Sequence, residues 1–223
     1  MGRWRTGRSP DRSTDASACQ DRGRSSERGA AVIEAAIVTP VFFLFIFGLF
    51  EFGLLFRDSL TTDNASHQGA RAASVGGGRA DADYLIIRSV EHGMQAMDLQ
   101  QLDYIVVFKA DGPDDEVPVP CLSASQTYDP ANPTAPACNR YTAVDFFAEL
   151  DDPVTGQDTG NFRCGVSSVD RFWCPADRIT SLSAGTDYVG IHVQTQHDFI
   201  TGMFGSGRGL SETSIIRLEP DVN

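Results

Sequence analysis

The sequence lacks the short motifs by which many enzymes are recognised. No Gly-x-Ser-x-Gly elbow, phosphate-binding loop or His-Glu-x-x-His motif occurs among its 223 residues. His192 and His197 lie five residues apart on a strand-like segment, so we expect them to face opposite sides and to be solvent-facing polar residues rather than metal ligands. The acidic run at 111–116 has no EF-hand pattern and is interpreted as a solvated loop. We therefore predict no catalytic residue, no cofactor and no metal site.

Positive charge is also scarce, with 18 basic residues against 30 acidic ones and a formal net charge of −12. The charge is unevenly divided, because residues 1–28 carry +3, residues 29–56 carry −2 and residues 57–223 carry −13. Proteins that bind nucleic acid present a basic face to the phosphates. Nucleic acid is therefore excluded as a partner of the large C-terminal part.

One block without Arg or Lys dominates the N-terminal quarter, at residues 30–56, and reads AAVIEAAIVTPVFFLFIFGLFEFGLLF. As a helix it would be about 40 Å long at roughly 1.5 Å per residue. A bilayer core requires about 20 residues. A buried helix of a soluble protein is the alternative, but such helices rarely run this long without a polar face. We predict a transmembrane helix over 30–56.

The flanking charges indicate how this helix is oriented. Arg22, Arg24 and Arg28 precede it, whereas only Arg57 follows closely. The positive-inside rule then makes residues 1–29 a basic cytoplasmic leader, which we expect to be disordered because it has few apolar side chains. No small-x-small cleavage site follows the block, so an anchor fits better than a removable secretion signal. The C-terminal part is predicted to lie outside the cytoplasm.

The start of the apolar block resembles the processing junction of type IV prepilins. Arg28-Gly29 is followed by an apolar helix whose fifth residue, counted from Ala30, is Glu34. The resemblance implies that a prepilin peptidase cuts between Gly29 and Ala30. Glu34 would then pair with the new N-terminus of a neighbouring subunit and set the helix register. The alternative is a carboxylate at the lipid interface beside Arg28.

A longer stretch is similar to the TadE-like family, the pilin-like components of the bacterial tight adherence (Tad) pilus machinery. The similarity adds Pro40, the triplet 51–53 and the segment 69–73 to the junction. It implies a non-catalytic pseudopilin or minor pilin of the cytoplasmic (inner) membrane, which works with a prepilin peptidase, other pilin-like subunits and Tad assembly-platform proteins. Ala35 stands where the major pilins often have Tyr, and this favours a minor or accessory subunit. Glu51 is either an interfacial residue or a contact with a partner helix.

Residues 57–100 are predicted to form a helical stalk outside the membrane. The first helix is expected to continue to Val75 and to end at the glycines 76–78. A second helix is predicted over 82–99, with methionines in the core. Small residues spaced by four form a stripe that allows close packing, either on the chain's own sheet or on another subunit. The stripe consists of Ala65, Gly69 and Ala73.

Residues 101–223 are predicted to form an antiparallel-sheet domain, which gives an α+β, pilin-like fold. Strands are expected at 102–109, 188–196 and 212–219, because apolar residues alternate there. The segment 197–211 is interpreted as a flexible hairpin connection. Residues 111–187 form a long insertion with a Pro-rich stretch and a short amphipathic piece around 144–150.

Four cysteines lie on the predicted extracytoplasmic side, where disulfides are permitted, and Cys19 lies alone on the other side. Of the three connectivities we choose nearest-neighbour pairing. A zinc site is the alternative, but the close Cys-x-x-Cys pairs of structural zinc sites are missing. The predicted pairs are Cys121 with Cys138 and Cys164 with Cys174.

Two other functions remain open. One is an unprocessed single-pass membrane protein whose extracytoplasmic domain binds a ligand. The other is a membrane-anchored hydrolase that uses scattered carboxylates, although nothing in the sequence positions two of them as a pair.

Overall fold

The computed structural model describes residues 16–123, 137–142, 162, 164–165 and 168–220, with side chains from residue 29 onward. The chain divides into two compact units, Met1–Phe50 and Glu51–Asn223. The predictions for residues 1–15 and for the amphipathic piece at 144–150 lie outside the described residues.

The first helix, α1, comprises Ala16–Gly76 and contains Pro40. It begins earlier than the sequence predicts, so residues 16–28 are helical rather than disordered. These residues contain no proline, and extending an existing helix costs far less than nucleating a new one. The predicted end is confirmed: Gly77 has a φ of 51°, and its N–H donates to the carbonyl of Ala73 over 3.1 Å.

The second helix, α2, comprises Ala82–Gly93 and is shorter than the predicted 82–99. It ends where it passes closest to α1, because a Cβ on Gly93 would lie 2.6 Å from the Cα of Ala65. Met94 and Met97 follow the helix and are buried, so their predicted place in the core is confirmed.

Four strands form one antiparallel sheet in the order β2-β1-β3-β4, which confirms the α+β fold. β2 was not predicted from the sequence, and the start of β4 was predicted five residues late. β2 is short and polar, and the glycines at the start of β4 hide its alternation. The hairpin connection is therefore only 199–206. The strands are β1 (Leu102–Ala110), β2 (Cys138–Thr142), β3 (Tyr188–Asp198) and β4 (Gly207–Arg217).

Both faces of the central strands are buried. Ile105 and Val107 of β1 face a core that also contains side chains of α1 and α2. Val106 and Phe108 face a second cluster with Cys121 and Cys138. The insertion thus supplies a second layer over the sheet.

Both predicted disulfides are present. Cys121 is bonded to Cys138, the first residue of β2, and Cys164 is bonded to Cys174. The first bond fixes the turn at 119–122 to the sheet.

Candidate processing junction and assembly surface

The predicted processing junction is accessible on α1. Gly29 and Ala30 are exposed, and no other group lies within 4 Å of the position that a Cβ on Gly29 would occupy. Glu34, one helical turn further on, is exposed as well. The side chains needed for the predicted cleavage and pairing are therefore free within the first unit.

The described apolar side chains of the first unit do not form a buried core. All side chains of residues 29–45 are exposed, and the rings of Phe43 and Phe47 stack with centroids 5.9 Å apart. Gly29–Gly76 includes a stretch that is long and apolar enough to cross a membrane, and none of that stretch is buried. A bare apolar helix of this length is what a lipid environment accommodates, and it suggests a membrane anchor.

Glu51 is buried within the second unit, against the loop between β3 and β4. Its side chain is only 1% exposed, and its carboxylate accepts the backbone N–H groups of Ile200, over 3.2 Å, and of Thr201. A buried carboxylate requires such donors, because loss of hydration is otherwise uncompensated. Glu51 therefore holds the loop between β3 and β4.

A buried ion pair lies two helical turns further along α1. Asp58 is within 2.7 Å of the Nδ1 of His197 and 2.8 Å of the Nη2 of Arg57. The prediction that His192 and His197 face solvent is wrong, because the layers on both faces of the sheet bury them. They do lie on opposite faces, because His197 contacts Asp58 of α1, whereas the ring of His192 lies 6.1 Å from that of Tyr104, which packs against the second cluster. Burial lowers the pKa of His192.

Two hydroxyl pairs continue this row of polar contacts. Thr62 and Thr195 are joined by a hydrogen bond of 2.9 Å between their Oγ1 atoms, and the Oγ atoms of Ser66 and Ser214 lie 2.8 Å apart. With Glu51 and Asp58, Thr62 and Ser66 follow spacings of seven, four and four residues, which place them on one side of α1. We call these four residues the polar row. The polar row was not predicted from the sequence, although the spacing of its four residues is visible there.

The small-residue stripe continues the same side of α1 and packs within the domain. A Cβ on Gly69 would lie 2.7 Å from the Cγ2 of Val90 and 3.0 Å from that of Ile191. Ala65 and Ala73 are completely buried. The chain's own sheet and α2 therefore occupy the stripe, which is the first of the two alternatives given for it.

A second buried charge lies inside the domain and fixes the insertion. Asp83 of α2 forms an ion pair with Arg178 and accepts hydrogen bonds from the Tyr141 hydroxyl, over 2.6 Å, and from the Asn139 amide, over 2.8 Å. The guanidinium of Arg178 lies 4.3 Å from the ring centroid of Trp173. Burial and the Asp83 charge raise the pKa of Tyr141 well above its ordinary value, so its hydroxyl remains a donor. This network is structural.

No group of three or more His, Cys, Asp or Glu side chains is arranged to hold a metal ion in the part of the chain that the structure describes. The described residues instead form an exposed apolar helical segment, followed by a helix face that packs against the chain's own sheet and α2.

Comparison with known proteins finds one similarity, which covers both the exposed apolar segment and part of the packed helix. Residues 29–71 match the model of the family described as TadE-like protein. These residues are a TadE-like domain. The match begins at the junction glycine, includes the apolar block and extends past Gly69 of the stripe. No curated protein and no solved structure matches the chain. The TadE-like domain supports a protein that is associated with the Tad pilus.

Proposed function

We propose that the protein is a non-catalytic pseudopilin or minor pilin that serves the assembly of a Tad-type type IV pilus involved in adherence. The TadE-like match, which begins at Gly29, is the observation that carries this proposal. The exposed Gly29, Ala30 and Glu34 support it, because a peptidase and a neighbouring subunit both need access to them.

In this proposal the 30–56 helix crosses the cytoplasmic membrane once, with the N-terminus inside and the domain outside. A prepilin peptidase removes residues 1–29, and Glu34 then pairs with the Ala30 ammonium of an adjacent subunit. Further partners are other pilin-like subunits and the Tad assembly-platform proteins. Apolar helix surface that is not covered by the chain itself supports both lipid contact and helix packing.

The decisive experiment is co-expression of the full chain with the cognate prepilin peptidase, followed by mass measurement of the intact protein. We expect a mature chain that begins at Ala30, and we expect Gly29→Ala to abolish the cleavage. Gly53→Ala is a matched control, because both glycines lie in α1 and a Cβ added to either would have no other group within 4 Å. An intact N-terminus in the presence of active peptidase would contradict the proposal and favour the unprocessed single-pass protein with a ligand-binding domain.

A further inference from the structure

The loop between β3 and β4 is apolar and exposed. Residues 199–207 carry no charge, and Asp198 and Arg208 flank them. Ile200 is 77% exposed, Met203 47% and Phe204 44%. Adjacent exposed apolar side chains of this size mark a contact with another apolar surface.

This loop lies against the last turns of the apolar block of α1. The ring centroids of Phe204 and Phe52 are 5.1 Å apart, and those of Phe199 and Phe204 are 6.1 Å apart. Phe52 and Phe56 of α1 are themselves 56% and 65% exposed. The loop, Phe52 and Phe56 therefore form one apolar surface in the second unit. Phe52 and Phe56 are also the last aromatic residues of the block predicted to span the membrane.

Most backbone N–H groups of the loop donate hydrogen bonds within the protein rather than to water. Five of its eight N–H groups have acceptors: those of Phe199, Ile200, Thr201, Met203 and Gly205 donate to the Ser206 carbonyl, the Glu51 carboxylate twice, the Thr201 hydroxyl and the Gly202 carbonyl. Gly202 and Gly205 have φ values of 67° and 108°, which permit this compact path. Bonded N–H groups lower the cost of placing this backbone near lipid, and the outward apolar side chains gain from contact with it.

We propose that the loop 199–206 inserts into the headgroup and upper acyl region of the outer leaflet, with Ile200, Met203 and Phe204 against lipid. Apolar groups bound at such an interface penetrate about 5–10 Å. Glu51 fixes the loop to α1 and thereby sets its depth. Asp198 and Arg208 remain in water at the loop ends. The inference rests on the proposed function only in requiring that α1 crosses a membrane with the domain outside.

Phospholipid is favoured over a second copy of the chain as the occupant. The apolar surface of the loop continues onto Phe52 and Phe56, at the C-terminal end of the predicted span 30–56. Lipid contact requires apolar area and no complementary shape. A second copy is the competing outcome that the experiment distinguishes.

The test uses the full chain reconstituted in vesicles of phosphatidylethanolamine and phosphatidylglycerol, with or without bromine on the acyl chains. Tryptophan is introduced singly by Ile200→Trp or Phe204→Trp, and the fluorescence of the parent is subtracted. Leu182→Trp is the matched control, because Leu182 is 72% exposed and lies outside the loop. Phe43→Trp reports separately on the span itself.

We expect brominated lipid to quench both loop tryptophans by at least half as much as Phe43→Trp, and to leave Leu182→Trp unquenched. Quenching at Phe43→Trp without quenching at either loop position overturns the loop proposal alone. Loss of quenching at Phe43→Trp contradicts membrane anchoring and therefore the proposed function as well. A blue-shifted loop emission that resists bromine and grows with the protein-to-lipid ratio overturns lipid as the occupant in favour of a second copy.

Discussion

The two parts of α1 use the same secondary structure for opposite purposes. Up to Phe50 the described side chains are mostly exposed, and the rings of Phe42 and Phe47 each contact that of Phe43. From Glu51 onward one side of the helix is buried by polar pairs and then by the small-residue stripe. The difference teaches that hydrophobicity does not mark the packed part of this helix. The most apolar part is exposed, and the part that is fixed to the domain is polar or small.

The largest effect is expected from filling the stripe. Gly69→Leu forces side-chain atoms into Val90 and Ile191, and overpacking of this kind costs about 3 kcal/mol. Thermal unfolding of the full chain in detergent, followed by circular dichroism, should show a large fall in Tm. Gly53→Leu places the same side chain on α1 where nothing lies within 4 Å, and it should leave the Tm unchanged. Equal losses in the two variants would abolish the distinction between the two parts of α1.

Exchanging Glu34 and Glu51 of α1 for alanine, one at a time, tests the same comparison. Glu51→Ala leaves the N–H groups of Ile200 and Thr201 without their acceptor, which we expect to cost about 2 kcal/mol of folding free energy. Glu34→Ala should leave stability unchanged and should strongly reduce pilus assembly in cells. Chemical denaturation measures the first effect, and counting pili by electron microscopy measures the second. A stability loss in Glu34→Ala would contradict its assignment to the assembly surface.

The pH dependence of stability is expected to contain a contribution from Asp170. Burial, with a smaller contribution from the Asp83 charge, raises the pKa of Asp170 to about 6, although the Cys164 N–H donates to it over 3.0 Å. The folded state therefore binds the proton more tightly than the unfolded state, so this group makes stability fall as the pH rises from about 4 to about 6. After allowance for partial solvent screening, the change is about 1–2 kcal/mol.

Asp170→Asn tests this contribution, because the amide retains an acceptor for the Cys164 N–H and cannot ionise. Denaturation midpoints measured across that pH range should decline less steeply in the variant than in the parent. A parallel decline in both proteins would show that Asp170 does not titrate in this window.

The smallest effect is expected within the polar row. Thr62→Val removes the hydroxyl partner of Thr195 and should cost about 1 kcal/mol, because a buried hydroxyl is left without its hydrogen bond. Thr62→Val combined with Thr195→Val should recover most of this loss. Urea denaturation of Thr62→Val, Thr195→Val and the double variant measures the coupling. Additive losses would show that the two hydroxyls do not stabilise each other.

Local patterns account for much of the architecture. The apolar block, the glycines that end α1, the alternation in β1 and β3, and the nearest-neighbour disulfides were predictable, because each depends on residues close in sequence. The boundaries that failed depend on distant partners. α2 stops at Gly93 because α1 passes there, and residues 16–28 are helical because nothing interrupts the helix that follows.

The candidate site divides in the same way. Gly29, Ala30 and Glu34 stand out by local motif alone. The role of Glu51 does not, because its acceptor atoms serve a loop 149 and 150 residues away. The burial of His192 and His197 was also hidden, since their neighbours are distant in sequence: Tyr104 and Thr213 lie beside His192, and Asp58 of α1 lies beside His197.

The polar row has a mechanical consequence. Glu51 and Ser66 are separated by about 22 Å of helix at roughly 1.5 Å per residue, and the contacts of the row lie along that length. A pull along the axis of α1 loads these contacts together, in shear, instead of opening them one after another. Resistance to such a force depends on the rate of unfolding under load rather than on equilibrium stability. A domain built in this way passes tension on α1 into its sheet through the whole row at once.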